Sequence, residues 1–264
     1  MKNLQRKIIN LKGKVAIVVG GSGQMGQETI KTLLANEVKT INVDLYEKKI
    51  KDKNYIFYKV DITNEEEIIK FKIFFLKKYR KLNILINHSH YKGSSRQLDP
   101  NNIFFNRLDN YPSEFWKKTL DVNLNGLFYF TKHFIKILIR NKQSVILNTS
   151  STYGKVSPNK NIYGNSGINS PISYATSKFA IIGFTKYIAT HYADKGLRAN
   201  ILIPGGIENV NHSKVFKKNY TKLTPMGRLA KKNEYNEAIL FLVSDASSYM
   251  TGSEMIIDGG WTSW

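Results

Sequence analysis

The chain contains no cysteine, which excludes disulfides, thiolate nucleophiles and cysteine-ligated zinc, and fits a reducing, cytoplasmic setting. Acidic residues are scarce too: 20 Asp plus Glu stand against 40 Lys plus Arg, for a net charge of +20. Long apolar runs are missing. Ile73–Leu76 and Ile181–Phe184 fall far short of the roughly 20 residues a membrane span needs. Met1–Leu11 is basic but lacks the apolar centre of a signal peptide. The expectation is a protein of the cytoplasm with no membrane partner. So large a positive excess attracts polyanions. Here, however, it is spread along the whole chain among Asn and Ile rather than gathered into an arm. That spread argues against nucleic acid, and for genome composition together with anionic small molecules.

Short β-branched or aliphatic runs alternate with helical patterns. Strands are expected at Lys14–Val19, Val38–Asp44, Tyr55–Val60, Leu82–Asn87, Ser144–Thr149, Arg198–Ile203 and Glu254–Asp258. Helices are expected at Gln24–Asn36, from the capping run Thr63–Glu67 to Lys81, and at Ser113–Arg140, Ile172–Ala193, Ser213–Tyr220 and Lys232–Ser244. A loop spans His88–Asn110, and a Gly/Asn/Pro-rich one spans Gly154–Pro171. Strands alternating with helices of this length call for a parallel sheet covered on both faces. The fold class is α/β: a single doubly wound domain over residues 1–264, with about seven strands.

In such a sheet, ligands bind at the C-terminal strand ends, where the strand order reverses. The first strand runs into Gly20-Gly21-Ser22-Gly23-Gln24-Met25-Gly26. Its glycines let the backbone turn tightly against a pyrophosphate seated on the following helix N-terminus. Asp44 closes the second strand roughly 20 residues further on, where a carboxylate accepts from the adenosine ribose hydroxyls. The same carboxylate repels a 2′-phosphate, so NAD is favoured over NADP.

Tyr174 and Lys178 lie one helical turn apart and share a face. A free phenol titrates near 10, too high for a base at neutral pH. A neighbouring ammonium and a cationic nicotinamide together would stabilise the phenolate. Tyr-x-x-x-Lys is a common spacing, and alone it describes a solvated helix face. It gains weight from Ser150-Ser151 at the end of the fifth strand and from Asn123 and Gly126, poor residues for a helix interior unless a kink or a hydrogen bond is required.

From Lys14 to Trp261 the sequence resembles a short-chain dehydrogenase/reductase of the single-domain, Rossmann-fold branch. The resemblance rests on the turn Gly20–Gly26, Asp61, Asn87, Asn123-Leu124-Asn125-Gly126, Ser151, Tyr174 with Lys178, Pro204-Gly205 and Asp258-Gly259-Gly260. It implies that Tyr174 is the general acid/base and that Lys178 lowers its pKa and holds the nicotinamide ribose. It further implies that Ser151 hydrogen-bonds the substrate oxygen and that Asn123 organises a water leading to solvent. The implied cofactor contacts are Gly20, Ser22, Gly23, Gln24, Met25, Gly26, Asp44, Asp61, Ile62, Asn87, His88, Ser89, Tyr174, Lys178, Pro204, Gly205 and Ile207. Three departures stand out: Val19 replaces Thr, Gln24 replaces the middle glycine, and His88-Ser89-His90 replaces Asn-Ala-Gly. Asn209 stands where a Thr often meets the nicotinamide. His88 and His90 are read as walls of the cofactor loop, not metal ligands.

The Ser151-to-Tyr174 stretch is longer than is usual in the family, and its insert is polar. The insert and the basic segment His212–Lys222, with Lys214, Lys217 and Lys218, are expected to form substrate loops at about 154–171 and 206–222. The insert, the Tyr111-Pro112 entry to the long helix and Pro204-Gly205-Gly206-Ile207 resemble oxidoreductases of bacterial surface-sugar and flagellin-modification clusters, and imply an anionic sugar derivative as substrate. A 3-oxoacyl or polyol reductase, an idle dinucleotide-binding protein and a nucleic-acid binder are the alternatives. Family members form homodimers or homotetramers. Phe115, Leu127, Phe130, Phe134 and Phe184 suit either such an interface or the core.

Overall fold

The computed structural model describes residues 9–93 and 105–264. Part of the expected loop after the fourth strand, and most of the basic N-terminal segment, lie outside the described residues.

Seven strands form one parallel sheet: β1 (Val15–Val19), β2 (Lys39–Asp44), β3 (Tyr55–Lys59), β4 (Ile84–Asn87), β5 (Ser144–Thr149), β6 (Leu197–Pro204) and β7 (Glu254–Ile257). Their order is β3-β2-β1-β4-β5-β6-β7, so the winding reverses between β1 and β4. The register sets Val19 beside Asn87 and Asn87 beside Asn148, bringing three strand ends level at the crevice.

Every residue of β1 is buried, and its side chains divide between two cores as the pleat requires. Val15, Ile17 and Val19 join Phe71 and Phe75 of α2 (Glu65–Lys78) and Phe130 and Phe134 of α4 (Gly126–Ile139). The Phe130 and Phe134 rings stack at 4.8 Å. Ala16 and Val18 face Ile30 and Leu33 of α1 (Gln24–Ala35) and Ile239 and Leu242 of α7 (Asn236–Val243). Phe130, Phe134 and Leu127 are therefore core residues. The large apolar side chains left exposed on α4 and on α5 (Ile172–His191) are Phe128, Ile172, Phe179 and Tyr187.

The helix expected over Ser113–Arg140 is not continuous. α3 (Ser113–Leu120) passes through a π-helical turn, Asp121–Asn125, into α4. The turn is the kink that Asn123 and Gly126 announce. A Cβ at Gly126 would meet the Ile62 side chain at 2.8 Å, so helix and loop touch backbone to side chain there. The cap of α2 is Asn64, one residue later than Thr63, because its carboxamide accepts from Glu66 and Glu67 N–H while Glu67 reaches back to Asp61 N. α7 starts at Asn236, later than Lys232, since Glu234 is engaged by Arg228 and by Lys231 N–H in the turn before it. The basic segment forms α6 (Lys214–Lys222), capped by Ser213. No described helix is long and apolar enough to cross a membrane.

Candidate active site

The β1–α1 turn closes over the crevice. Gly20 has φ +78°, and a Cβ there would lie 2.5 Å from Ser89 N; at Gly26 it would lie 2.4 Å from the Gly20 carbonyl. Nothing larger fits either place. α1 begins at Gly23 with no side-chain cap and no acid in its first turn, which leaves its positive end available to an anion. The Asn87 side chain donates to Asn148 at 2.7 Å, while its buried Oδ1 has no partner among the described residues. A flat backbone cradle, an uncapped helix end, an orphaned buried acceptor and a carboxylate closing β2 together fit a dinucleotide. When bound, a nicotinamide dinucleotide supplies or accepts hydride.

Asp44 accepts from Ser22 N at 3.0 Å and from Leu45 N at 2.7 Å, so its carboxylate is fixed to the glycine turn. The Ser22 hydroxyl does not face the crevice; it donates to the Tyr46 carbonyl and accepts from Asn42. Met25 is half-buried and packs against the core. Gln24 bridges the crevice: its Nε2 donates to the Glu208 carbonyl at 2.9 Å. Asp61 caps the turn before α2 through Thr63. Ile62 and Ser89 line a small cavity with Asn123 and Thr149. Pro204 ends β6, Gly205 abuts Asp258, and Ile207 bridges to Ala230. Asn209 caps its own turn by accepting from Asn211 N.

His88 departs from the expected cofactor wall. Its ring is buried, with Thr29 Oγ1 at 3.0 Å on one nitrogen and Thr149 Oγ1 at 2.7 Å on the other. Burial, with the Lys178 charge nearby, pushes its pKa down to about 3. The neutral ring is a strut between α1 and β5, present because both hydroxyls need a partner inside the sheet. The His90 ring instead stands 6.2 Å from the Tyr174 ring.

Tyr174 and Lys178 occupy adjacent turns of α5, and the Lys178 ammonium lies 5.5 Å from the Tyr174 ring centroid. Nζ donates to the Thr149 carbonyl at 3.0 Å. Ser151 hydrogen-bonds the Tyr174 phenol, which lowers its pKa, yet burial outweighs this and pushes the phenol up to about 12. Burial, then the Lys92 charge, brings Lys178 down to about 7. In the protein alone desolvation outweighs the anticipated fall in the phenol pKa, with Lys178 buried and Tyr174 half-buried. Asn123 sits in the π-helical turn beside this pair. Its side chain accepts from Tyr91 N and donates to Tyr91 O at 3.0 Å and to Ser177 Oγ at 2.9 Å. Both amide hydrogens are used, so the side chain positions the segment after β4.

The polar insert makes a short 3₁₀ turn, Lys160–Tyr163, which buries Ile162. Tyr163 packs on Phe216 at 5.5 Å, Phe216 on Tyr220 at 5.4 Å, and Tyr220 stacks on Trp261 at 5.6 Å. Asn219 of α6 donates back to the Ile162 carbonyl at 3.3 Å. Insert and α6 are one aromatic roof, not two polar loops. Of the flap lysines, Lys217 is taken by Glu208 at 3.2 Å. Sequence reasoning missed Ser177, Tyr153 and the Thr149 carbonyl as a partner of Lys178; no spacing marks these contacts, since they join elements remote in sequence.

A family model described as Enoyl-(Acyl carrier protein) reductase, one of the short-chain dehydrogenase/reductase models, matches residues 24–262. The chain is a short-chain dehydrogenase/reductase. A curated relative, the 3-oxoacyl-(acyl-carrier-protein) reductase FabG of Thermotoga maritima, is 31% identical and covers 96% of this chain and 99% of its own. The solved short-chain dehydrogenase of Leptospira borgpetersenii with bound NAD+ superposes with a TM-score of 0.86 at 31% identity, covering 96% and 94%. The aldohexose dehydrogenase of Thermoplasma acidophilum superposes with a TM-score of 0.82 at 25% identity, covering 97% of each chain. This dehydrogenase/reductase is thus an NAD(P)-dependent oxidoreductase acting between CH–OH and C=O. None of these relatives is named for surface-sugar or flagellin chemistry, and that narrower expectation gains no support from them.

Proposed function

We propose that the protein is a single-domain, NAD-dependent enzyme that interconverts a secondary alcohol and a ketone on a small polyhydroxylated substrate, a sugar or sugar phosphate. The observation that carries the reading is the Tyr174 phenol held against Ser151, with Lys178 one turn along α5 and anchored to the Thr149 carbonyl. In the reducing direction, Tyr174 Oη donates its proton to the carbonyl oxygen while the Ser151 hydroxyl hydrogen-bonds that same oxygen. A phenol held near 12 remains protonated at neutral pH, the state a proton donor needs. Lys178 holds the ribose side of the site and, when charged, stabilises the phenolate left behind. Asp44 selects NAD by like-charge repulsion of a 2′-phosphate.

The sugar reading draws support from the roof. Tyr153 and Tyr163, hydrogen-bonded to each other, sit among aromatic faces, and phenol hydroxyls beside ring faces suit a ligand with C–H faces and hydroxyl edges. The similarity to an aldohexose dehydrogenase points the same way. A homodimer or homotetramer would cover Phe128, Phe179 and Tyr187, and light scattering should find no monomer. The test of function is a panel of sugars, sugar phosphates, sugar nucleotides, polyols and 3-oxoacyl thioesters with NAD and NADH, followed at the nicotinamide absorbance. Sugars or their phosphates should turn over, and Tyr174→Phe should lower kcat by about 10²–10⁴ with NADH still bound. Turnover of 3-oxoacyl thioesters alone would overturn the substrate assignment, and an unchanged rate in Tyr174→Phe the chemistry.

A further inference from the structure

Gln24 stands where the family pattern has its middle glycine, a residue with no side chain to reach across the site. Here the side chain meets the far side of the crevice. β1 and β6 are three strands apart in the sheet, about 14 Å at the usual strand spacing. Gln24 opens α1 just after β1, and Glu208 lies shortly past Pro204, the end of β6. The 2.9 Å hydrogen bond from Gln24 Nε2 to the Glu208 carbonyl therefore spans the opening between the two strand ends.

The Glu208 end of that bond is the base of the roof. Glu208 N–H donates to the Ala230 carbonyl at 2.8 Å, and Ala230 N–H to the Gly206 carbonyl at 2.9 Å. The chain thus leaves the body at Glu208, builds α6 and returns at Ala230, with its two limbs pinned to each other. Helix α1 holds this base from one side. Gln24 and Glu28 lie one turn apart on one face of α1. Gln24 reaches Glu208 on the outgoing limb, and Glu28 reaches Lys232, at 3.4 Å, just past the returning one. The Gln24 amide donates to a backbone atom, so it holds the course of the chain and not a mobile side chain. Because α6 packs on the insert through Phe216 and Asn219, a shift of the base carries the whole roof with it.

We propose that Gln24 is a positioning residue: it fastens the base of the aromatic roof to the glycine cradle, so that cradle and roof move together and a bound dinucleotide leaves only when this strap parts. It acts on the reaction through the roof and touches no reacting atom. The proposal deepens the reading of the crevice as a dinucleotide site and rests on it.

The test uses the full-length protein and three variants. Gln24→Met keeps the length and loses the donor, Gln24→Gly restores the glycine of the family pattern, and Gln24→Lys again carries an N–H donor of comparable reach. Hydrogen exchange without cofactor is followed by mass spectrometry over 209–223 and over α1, and NADH release by stopped-flow fluorescence. In Gln24→Met and Gln24→Gly the amides of 209–223 should exchange about 3–10-fold faster, the worth of one hydrogen bond. Those of 28–35 should be unchanged in Gln24→Met. NADH should leave both variants faster by a similar factor, and Gln24→Lys should restore slow exchange over 209–223. Wild-type exchange of that segment in Gln24→Met overturns the proposal. So does faster exchange shared equally by α1, which would make Gln24 a stabiliser of its own helix. Wild-type NADH release from Gln24→Met, or no rescue by Gln24→Lys, overturns it as well. A wild-type protein that binds no NADH overturns the dinucleotide reading; faster exchange over 209–223 in Gln24→Met then still supports the tether between turn and roof.

Discussion

Lys178 should make the protein less stable than it could be, and the effect should depend on pH. Burial holds the ammonium at about 7, against 10.5 for a free lysine. At about 1.4 kcal/mol per pH unit, keeping that charge inside the fold below pH 7 costs roughly 5 kcal/mol. Lys178→Met removes the charge and retains most of the stem, but it deprives the Thr149 carbonyl of its donor at 3.0 Å, a loss of about 1–3 kcal/mol. The net gain near pH 6.5 is then about 2–4 kcal/mol, which for a chain of this size raises Tm by roughly 4–8 °C. The sign reverses the usual case of a lysine gaining a partner. Between pH 7 and 10.5 the unfolded lysine binds more proton than the folded one, so wild type gains stability as pH rises through that window. The variant has no such gain, and by pH 10 its advantage should be gone. Thermal melts of both proteins at pH 6.5 and pH 10, with activity measured in parallel, decide the matter. A variant no more stable at pH 6.5, or equally advantaged at both pH values, would refute the account of a buried, largely uncompensated ammonium. Loss of activity together with the gain in Tm would show stability given up for function.

Asp44→Ser should lower the NAD-to-NADP ratio of kcat/KM by about 10–100-fold, since it removes a negative charge facing the 2′-position; steady-state kinetics with both cofactors would show it. Gly26→Ala places a methyl 2.4 Å from the Gly20 carbonyl, so Tm should fall with a loss of about 1–3 kcal/mol and NADH should bind more weakly by fluorescence titration. Asn123→Ala leaves Tyr91 N, Tyr91 O and Ser177 Oγ without their shared partner. It should lose about 2 kcal/mol or more in denaturant melts and lower kcat more than it raises KM.

The sheet was legible in the sequence because buried parallel strands must be apolar on both faces, and runs such as Val15–Val19 and Ser144–Thr149 stand out against the Lys- and Asn-rich background. The kink at Asn123 was legible as well, since Asn and Gly are costly inside a helix unless the fold requires them. Tyr174 and Lys178 could be paired by helical period alone. What local pattern could not supply was the environment of each group. The direction of the Ser22 hydroxyl, the burial of His88 between Thr29 and Thr149 and the joining of insert to α6 all depend on contacts across 20 to 61 residues of chain.

Sequence by itself determined the order of elements, the glycine cradle and the spacing of the reacting pair, because each is set by backbone sterics or by a period of a few residues. Tertiary structure alone decided the ionisation of that pair, since the phenol near 12 and the ammonium near 7 follow from how completely neighbouring elements exclude water.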